Sequence, residues 1–349
     1  MSQNTSNMDD MAMLTDDDDD MIAACEEWET SQITSTIVND SEHFTSPLTQ
    51  IRNGYLWVSD LCSQLWCEQQ NEYKLTAPSK EPESEQMTKG TELHLARELE
   101  TQDYVDVEIT SDEDIFAVKV INLTHALLGF IENTQTISRE VPIFGTLGED
   151  EIFFLGKIDE VNMKDGSNLE IIEFKTRTRN VLPGKAQKQT HDIQVMAYKE
   201  LLDKLIRDGL QPDKLYSILG LDGKKKLGNS ILKHCKGVVK SKKASSLDDL
   251  INNLNTTAKF LPLVMSMKIN YTSQKDGHCF AEEEVKYAKE WFSNKLNDLL
   301  TYWHGKRNVQ GVDIEDAWKC QKCFYANDCT WRKTKAEEIV QRNKLKNKD

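Results

Sequence analysis

No stretch of 18 consecutive apolar residues occurs in the chain, so a helix spanning a bilayer is not expected. The first residues are acidic and contain no arginine, so neither a secretory signal nor a transit peptide is expected there. A G-x-x-x-x-G-K-[ST] string is absent, and with it the motor of a helicase of that type. Basic residues are missing altogether from the first 50 positions, which hold twelve acids. That gap accounts for most of the formal charge of −15, since 43 basic side chains face 46 acidic ones over the rest of the chain. A polyanionic partner is therefore compatible with everything after position 50.

Residues 1 to 50, with the run Asp16 to Asp20, are polar and weakly hydrophobic and read as a disordered acidic tail. Met21-Ile22-Ala23-Ala24 with Trp28 is a candidate docking helix inside it. Residues 51 to 335 are long enough for one large α/β domain, and no internal repeat divides them. A lysine-rich stretch from about 207 to 260, marked by Lys224 to Lys226 and by Lys240, Lys242 and Lys243, reads as an inserted helical segment. Residues 336 to 349 form a basic C-terminal tail.

The strongest chemical signal lies between Glu151 and Lys175. Ile152, Phe153, Phe154, Leu155 and Ile158, then Leu169, Ile171, Ile172 and Phe174, form two β-rich runs around the turn-prone Lys164-Asp165-Gly166-Ser167-Asn168, which predicts a hairpin. Alternation along the second run puts Glu173 and Lys175 on one face. Asp159 and Glu173 are hard oxygen ligands of the kind Mg²⁺ takes. A lysine beside such an ion can orient the attacking water or neutralise a phosphate oxygen, which makes Lys175 the third catalytic candidate.

Cys320, Cys323 and Cys329 form the second constellation. The usual paired knuckles of a zinc site are missing, and the nearest histidine, His304, lies outside the cysteine loop. An iron–sulfur cluster takes four thiolates. Of the remaining cysteines, Cys67 is preferred: Ser59-Asp60-Leu61 and Leu65-Trp66-Cys67 read as a capped helix entering a core, whereas Cys25 lies in the acidic tail and Cys235 among lysines.

Two helical patterns add candidates. Gly90, His94 and Glu98 share a face by their spacing of four, and a histidine facing the hairpin could complete a metal's ligand set. Gln194 and Tyr198 likewise share a face of a helix whose apolar set is Ile193, Met196, Ala197, Leu201, Leu202 and Leu205. Arg177, Arg179, Lys185 and Lys188, just after the second β-run, are candidate phosphate contacts. Tyr302, Trp303, Trp318, Tyr325 and Trp331 crowd the region before and around the three cysteines and read chiefly as packing.

Taken in order, these elements resemble the exonuclease V family, of the RecB-like branch of the PD-(D/E)xK nucleases. The resemblance covers about residues 51 to 335. It rests on Ser59-Asp60-Leu61 with Trp66-Cys67-Glu68, Lys89-Gly90 with His94, Gly156 with Ile158-Asp159-Glu160, Glu173-Phe174-Lys175-Thr176-Arg177, Gln194 with Tyr198, and Gly311-Val312-Asp313 with Ala317-Trp318-Lys319-Cys320. Each motif is short, but their order and spacing are specific. The resemblance implies a restriction-endonuclease-like α/β core with helical insertions, its ends tied by a 4Fe-4S cluster on Cys67, Cys320, Cys323 and Cys329. It implies Mg²⁺ on Asp159 and Glu173, His94 in the active site, and Gln194 and Tyr198 against the substrate backbone. The expected activity is a single-strand-specific DNA exonuclease favouring 5′ ends, acting in DNA repair as a monomer in the nucleus or cytosol, under control of a single-strand-binding protein. The alternative is a catalytically weak iron–sulfur module that binds single strands.

Overall fold

The computed structural model describes residues 46–77, 81–82, 84–100, 107–238 and 244–346. The acidic tail, the candidate docking helix, Cys25, Lys240, Lys242 and Lys243 lie outside them. A short helix α1 (Pro47–Arg52) and strand β1 (Tyr55–Trp57) lead into α2 (Val58–Thr76), α3 (Glu85–Glu98) and α4 (Asp112–Ile131). Three strands follow, β2 (Ile137–Leu147), β3 (Ile152–Lys164) and β4 (Asn168–Arg177), then the long helix α5 (Lys185–Asp208). Helices α6 (Pro212–Leu219), α7 (Asn229–Val238) and α8 (Leu247–Ala258) occupy the lysine-rich stretch. Strands β5 (Val264–Ser273) and β6 (Cys279–Glu284), helix α9 (Lys289–Trp303), a 3-10 turn over Ile314–Gln321 and α10 (Thr330–Lys346) complete the chain. The architecture is mixed α/β around a six-stranded sheet.

The predicted hairpin is β3–β4, closed by Asp165 and Gly166, both in left-handed backbone. The sheet runs β1-β3-β4-β5-β6, and β2 pairs antiparallel with β3 over nearly its whole length. A strand has only two edges, so β1 and β4 share the other edge of β3. β1 takes Phe153 to Leu155 and β4 takes Glu160 to Lys164. Gly156 to Asp159 therefore lie in a fork, where β4 turns away to pair in parallel with β5.

Both faces of the sheet are covered, which is why Phe153 and Phe154, neighbours pointing opposite ways, are 1% and 0% exposed. Helix α5 packs on β2, β4 and β5, and α2 packs on α5 and β3. Helix α4 is apolar and long enough to pass for a membrane span by composition, although charged and polar residues interrupt its apolar run. Here it lies on β2 with α7 and α8 against it, and most of it is buried. Gly156 has a packing reason: a Cβ there would lie 2.8 Å from the Tyr198 ring and 3.1 Å from Val58.

Candidate active site

The fork in the sheet is where the acids gather. Asp159 is 3% exposed, and its Oδ2 accepts the Phe174 amide N–H at 2.7 Å, a donor that β4 would otherwise leave unpaired as it departs from β3. The register in which Glu160 faces Ile172, carried one step on, sets Asp159 opposite Glu173. Glu173 is 1% exposed, and its Oε1 lies 2.9 Å from Lys175 Nζ. On the other side, Arg139 pairs with Glu160 and Val141 with Ile158, which brackets Glu140 beside Asp159. Three carboxylates thus form a row across β2, β3 and β4.

Glu140 was not singled out in the sequence. Its φ of 49° is left-handed, a conformation that costs a side-chain-bearing residue about 1 to 3 kcal/mol and collects at functional sites. Nothing local signals that distortion, although two adjacent charges, Arg139 and Glu140, inside an apolar strand are a usable clue. Glu140 Oε1 lies 3.4 Å from His94 Nδ1, and the same nitrogen is 3.8 Å from Asp159 Oδ1. Helix α3, capped by the Ser84 hydroxyl accepting from the Met87 amide, brings His94 over the fork. Ligand atoms of His94, Glu140 and Asp159 lie within 4.8 Å of one another and could hold a metal ion. Lys157, on β3 two residues before Asp159, pairs with Glu140 Oε2.

This crowding of acids sets their protonation. Burial pushes the Asp159 carboxyl above its ordinary range; His94 and Lys175 pull it back, and Glu140 adds to the push. Burial acts on Glu140 in the same sense, but the His94 hydrogen bond and the Lys157 charge outweigh it and leave Glu140 below its ordinary value. Glu98, four residues after His94, is raised by burial and by the Glu140 charge. A buried group of acids with an imidazole is a donor set that fits a hard divalent cation.

Other expected contacts are distributed differently. Gln194 and Tyr198 are each 2% exposed and hydrogen-bonded to one another, and Tyr198 packs on Gly156. Arg177 is 7% exposed, with its guanidinium directed to Gln187 Oε1 and the Val181 carbonyl. The sequence reading gave these three to the substrate; in the fold all three are buried. Arg179 and Lys185 are exposed on the loop after β4 and at the start of α5, and Lys188 pairs with Glu283.

Cys67, Cys320, Cys323 and Cys329 line one pocket, with Tyr73 and Tyr325 among its walls. Helix α2 breaks at Cys67, whose φ of −164° and ψ of 105° are extended. Groups freed by the break find partners in the C-terminal segment. The Gln69 N–H donates to the Gln310 carbonyl, and Lys319 Nζ donates to the Trp66 carbonyl at 3.1 Å. Burial pushes the Cys67 thiol up to about 11, and the neighbouring Cys323, Cys320 and Cys329 add to the shift. Four thiols in mutual electrostatic reach fit a site that holds iron, where the metal offsets the charge of the thiolates.

Residues 46–170, 162–259 and 234–332 match the family model of exonuclease V, described as a 5′ deoxyribonuclease. The chain belongs to the exonuclease V family. The curated Exonuclease V of Danio rerio is 34% identical over 299 residues, which cover 84% of this chain and 74% of that relative. Membership of the exonuclease V family supports nuclease, hence hydrolase, activity and a DNA substrate. The solved structure "Crystal structure of SSO0001" covers 92% of this chain and 98% of its own at 12% identity, but with a TM-score of 0.32 the likeness carries no argument.

Proposed function

We propose that this exonuclease V family member hydrolyses phosphodiester bonds of single-stranded DNA from strand ends, favouring 5′ ends, with Mg²⁺ held at the fork of a restriction-endonuclease-like core. The observation that carries the reading is the buried row Glu140, Asp159 and Glu173 with His94 and Lys175 beside it. Asp159 and Glu173 hold the ion, and His94 and Glu140 complete its ligand set. Mg²⁺ bound there supplies Lewis-acid stabilisation of the charge that builds on phosphorus and eases deprotonation of the attacking water. Lys175 holds that water in line or neutralises a phosphate oxygen. Asp159 is kept in place by the Phe174 amide, so the donors are fixed before substrate arrives. Arg179 and Lys185, both exposed, meet the phosphates that follow.

A 4Fe-4S cluster on Cys67, Cys320, Cys323 and Cys329 ties α2 to the C-terminal segment. Its role is structural, holding the two ends of the nuclease domain around the path of the strand. The protein acts as a monomer in DNA repair, in the nucleus or cytosol, on strands presented with a single-strand-binding protein.

The test is digestion of end-labelled linear, circular and duplex DNA by anaerobically purified wild type and Asp159→Ala, with and without Mg²⁺, beside iron and sulfide analysis. Mg²⁺-dependent loss of linear single strands, absent in the variant, with about four irons per chain, is the expected result. Iron without cleavage would replace it with a single-strand-binding module.

A further inference from the structure

Lys157 has no part in the reading above, yet it leaves β3 on the same face as Asp159, two residues away. Its ammonium is paired with Glu140, and its side chain is 27% exposed while that of Glu140 is 6% exposed. The carboxylate that completes the group with His94 and Asp159 is thus shared with a lysine that reaches solvent. Glu173 is similarly paired with Lys175. The β3–β4 pairing ends at Glu160 with Ile172, and Lys157 on β3 and Lys175 on β4 lie just beyond it, one on each arm where the two strands diverge. Two acid–lysine pairs therefore flank Asp159, one on each side of the fork.

We propose that Lys157 is a phosphate ligand held in reserve by Glu140. Its ammonium leaves the carboxylate when a divalent cation takes it, and then meets a phosphate oxygen of the single strand across the fork from Lys175. The inference rests on the reading of this site as cation-dependent. The physical ground is competition for one carboxylate: Glu140 presents Oε1 to His94 and Oε2 to the ammonium, so a divalent ion beside His94 and Asp159 draws on the same charge that holds Lys157, and the two cations repel at that range. A lysine is a point charge on a flexible four-carbon stem, so it can swing without moving the strand. A backbone phosphate is the acceptor that arrives as Glu140 is taken. Cation binding and strand binding then favour one another, and the coupling is reciprocal.

The test measures anisotropy of a fluorescein-labelled oligo(dT) against salt, in EDTA and in Ca²⁺, for wild type and Lys157→Met. A single-strand phosphate contact contributes about 0.7 to the slope of log affinity against log salt. Slopes should agree in EDTA and differ by about 0.7 in Ca²⁺. Mn²⁺ affinity without DNA, read by electron paramagnetic resonance, should be severalfold tighter in Lys157→Met, because the competitor is gone. Glu140→Gln, which keeps the lysine, should show the steeper slope already in EDTA, and Glu140→Gln with Lys157→Met should lose it. Equal slopes in Ca²⁺, or a difference already present in EDTA between wild type and Lys157→Met, would overturn the proposal. So would a Glu140→Gln gain that survives in the double variant, since that is charge removal alone. Asp159→Asn separates the two levels: continued Mg²⁺-dependent cleavage sinks the site reading itself, whereas a dead variant beside equal slopes sinks only the role of Lys157.

Discussion

At the scale of single residues, Asp159 shows how function loads the fold. Its carboxyl is held above the ordinary range by burial and by Glu140, so the folded chain binds its proton more tightly than the unfolded chain does. Between the ordinary and the raised value, stability falls as pH rises, and above the raised value the full penalty is present. Asp159→Asn, which can still accept from Phe174, should therefore raise the melting temperature by a few degrees in EDTA at pH 7. That gain should fade below about pH 4, where both chains hold the proton. Excess Mn²⁺ should stabilise wild type and not the variant, which differential scanning fluorimetry would report. Lys175→Ala belongs at the same scale. It should lower the cleavage rate by 100-fold or more, on the order of what removing a positioned transition-state donor costs, while single-strand affinity stays near wild type. Comparable loss of binding and rate would remove Lys175 from that role. Asp159, Glu173 and Lys175 were legible because strand alternation and a turn string place them. Glu140 was not, since its proximity comes from a neighbouring strand and a backbone distortion that composition does not reveal.

At the scale of elements, the fork between β1 and β4 on β3 and the break in α2 are the features that position chemistry. Gly156 sits in the fork against Tyr198, and overpacking of this kind costs about 1 to 3 kcal/mol. Gly156→Ala should lower the urea midpoint accordingly, and Gly156→Ala with Tyr198→Leu should recover part of the loss; a loss that Tyr198→Leu leaves untouched would place the strain elsewhere. The glycine of β3, three residues before Asp159, and the tyrosine on α5 thus have a packing explanation. In α2 the helix signal of residues 58 to 67 was readable, but the break at Cys67 and the continuation to Thr76 were not. It depends on Gln310 and Lys319, more than 240 positions away, supplying partners for the freed backbone groups.

At the scale of the whole molecule, the C-terminal segment is clasped to α2 by more than its cysteines. Arg307 binds Glu68 through two nitrogens, with Nη2 donating to Oε2 at 2.7 Å, Trp303 Nε1 donates to Gln64 at 2.8 Å, and Tyr302 donates to Glu72 at 2.6 Å. Trp66 and Trp318 meet edge to face at 5.5 Å. Cys323→Ser should lose iron, yield and DNA binding together, as measured by metal analysis, expression level and anisotropy. Iron-free protein with normal nuclease activity would refute the structural role of the cluster. The protein contacts named here predict that such a variant keeps its circular dichroism spectrum at low temperature, because the hydrogen-bonded clasp remains.

By itself the sequence determined the local pieces: the β3–β4 hairpin, the side of the strand shared by Glu173 and Lys175, the helix face shared by His94 and Glu98, and the spacing of Cys320, Cys323 and Cys329. Periodicity and turn chemistry act over a few residues, and that is the range over which these features are set. Only the tertiary structure decided that Glu140 and Lys157 join Asp159, that Gln194, Tyr198 and Arg177 are buried, and that Cys67 shares a pocket with Cys320, 253 positions further on. Those relations arise from strand order and helix packing, where contacts are chosen by the whole fold and no local pattern announces the partner.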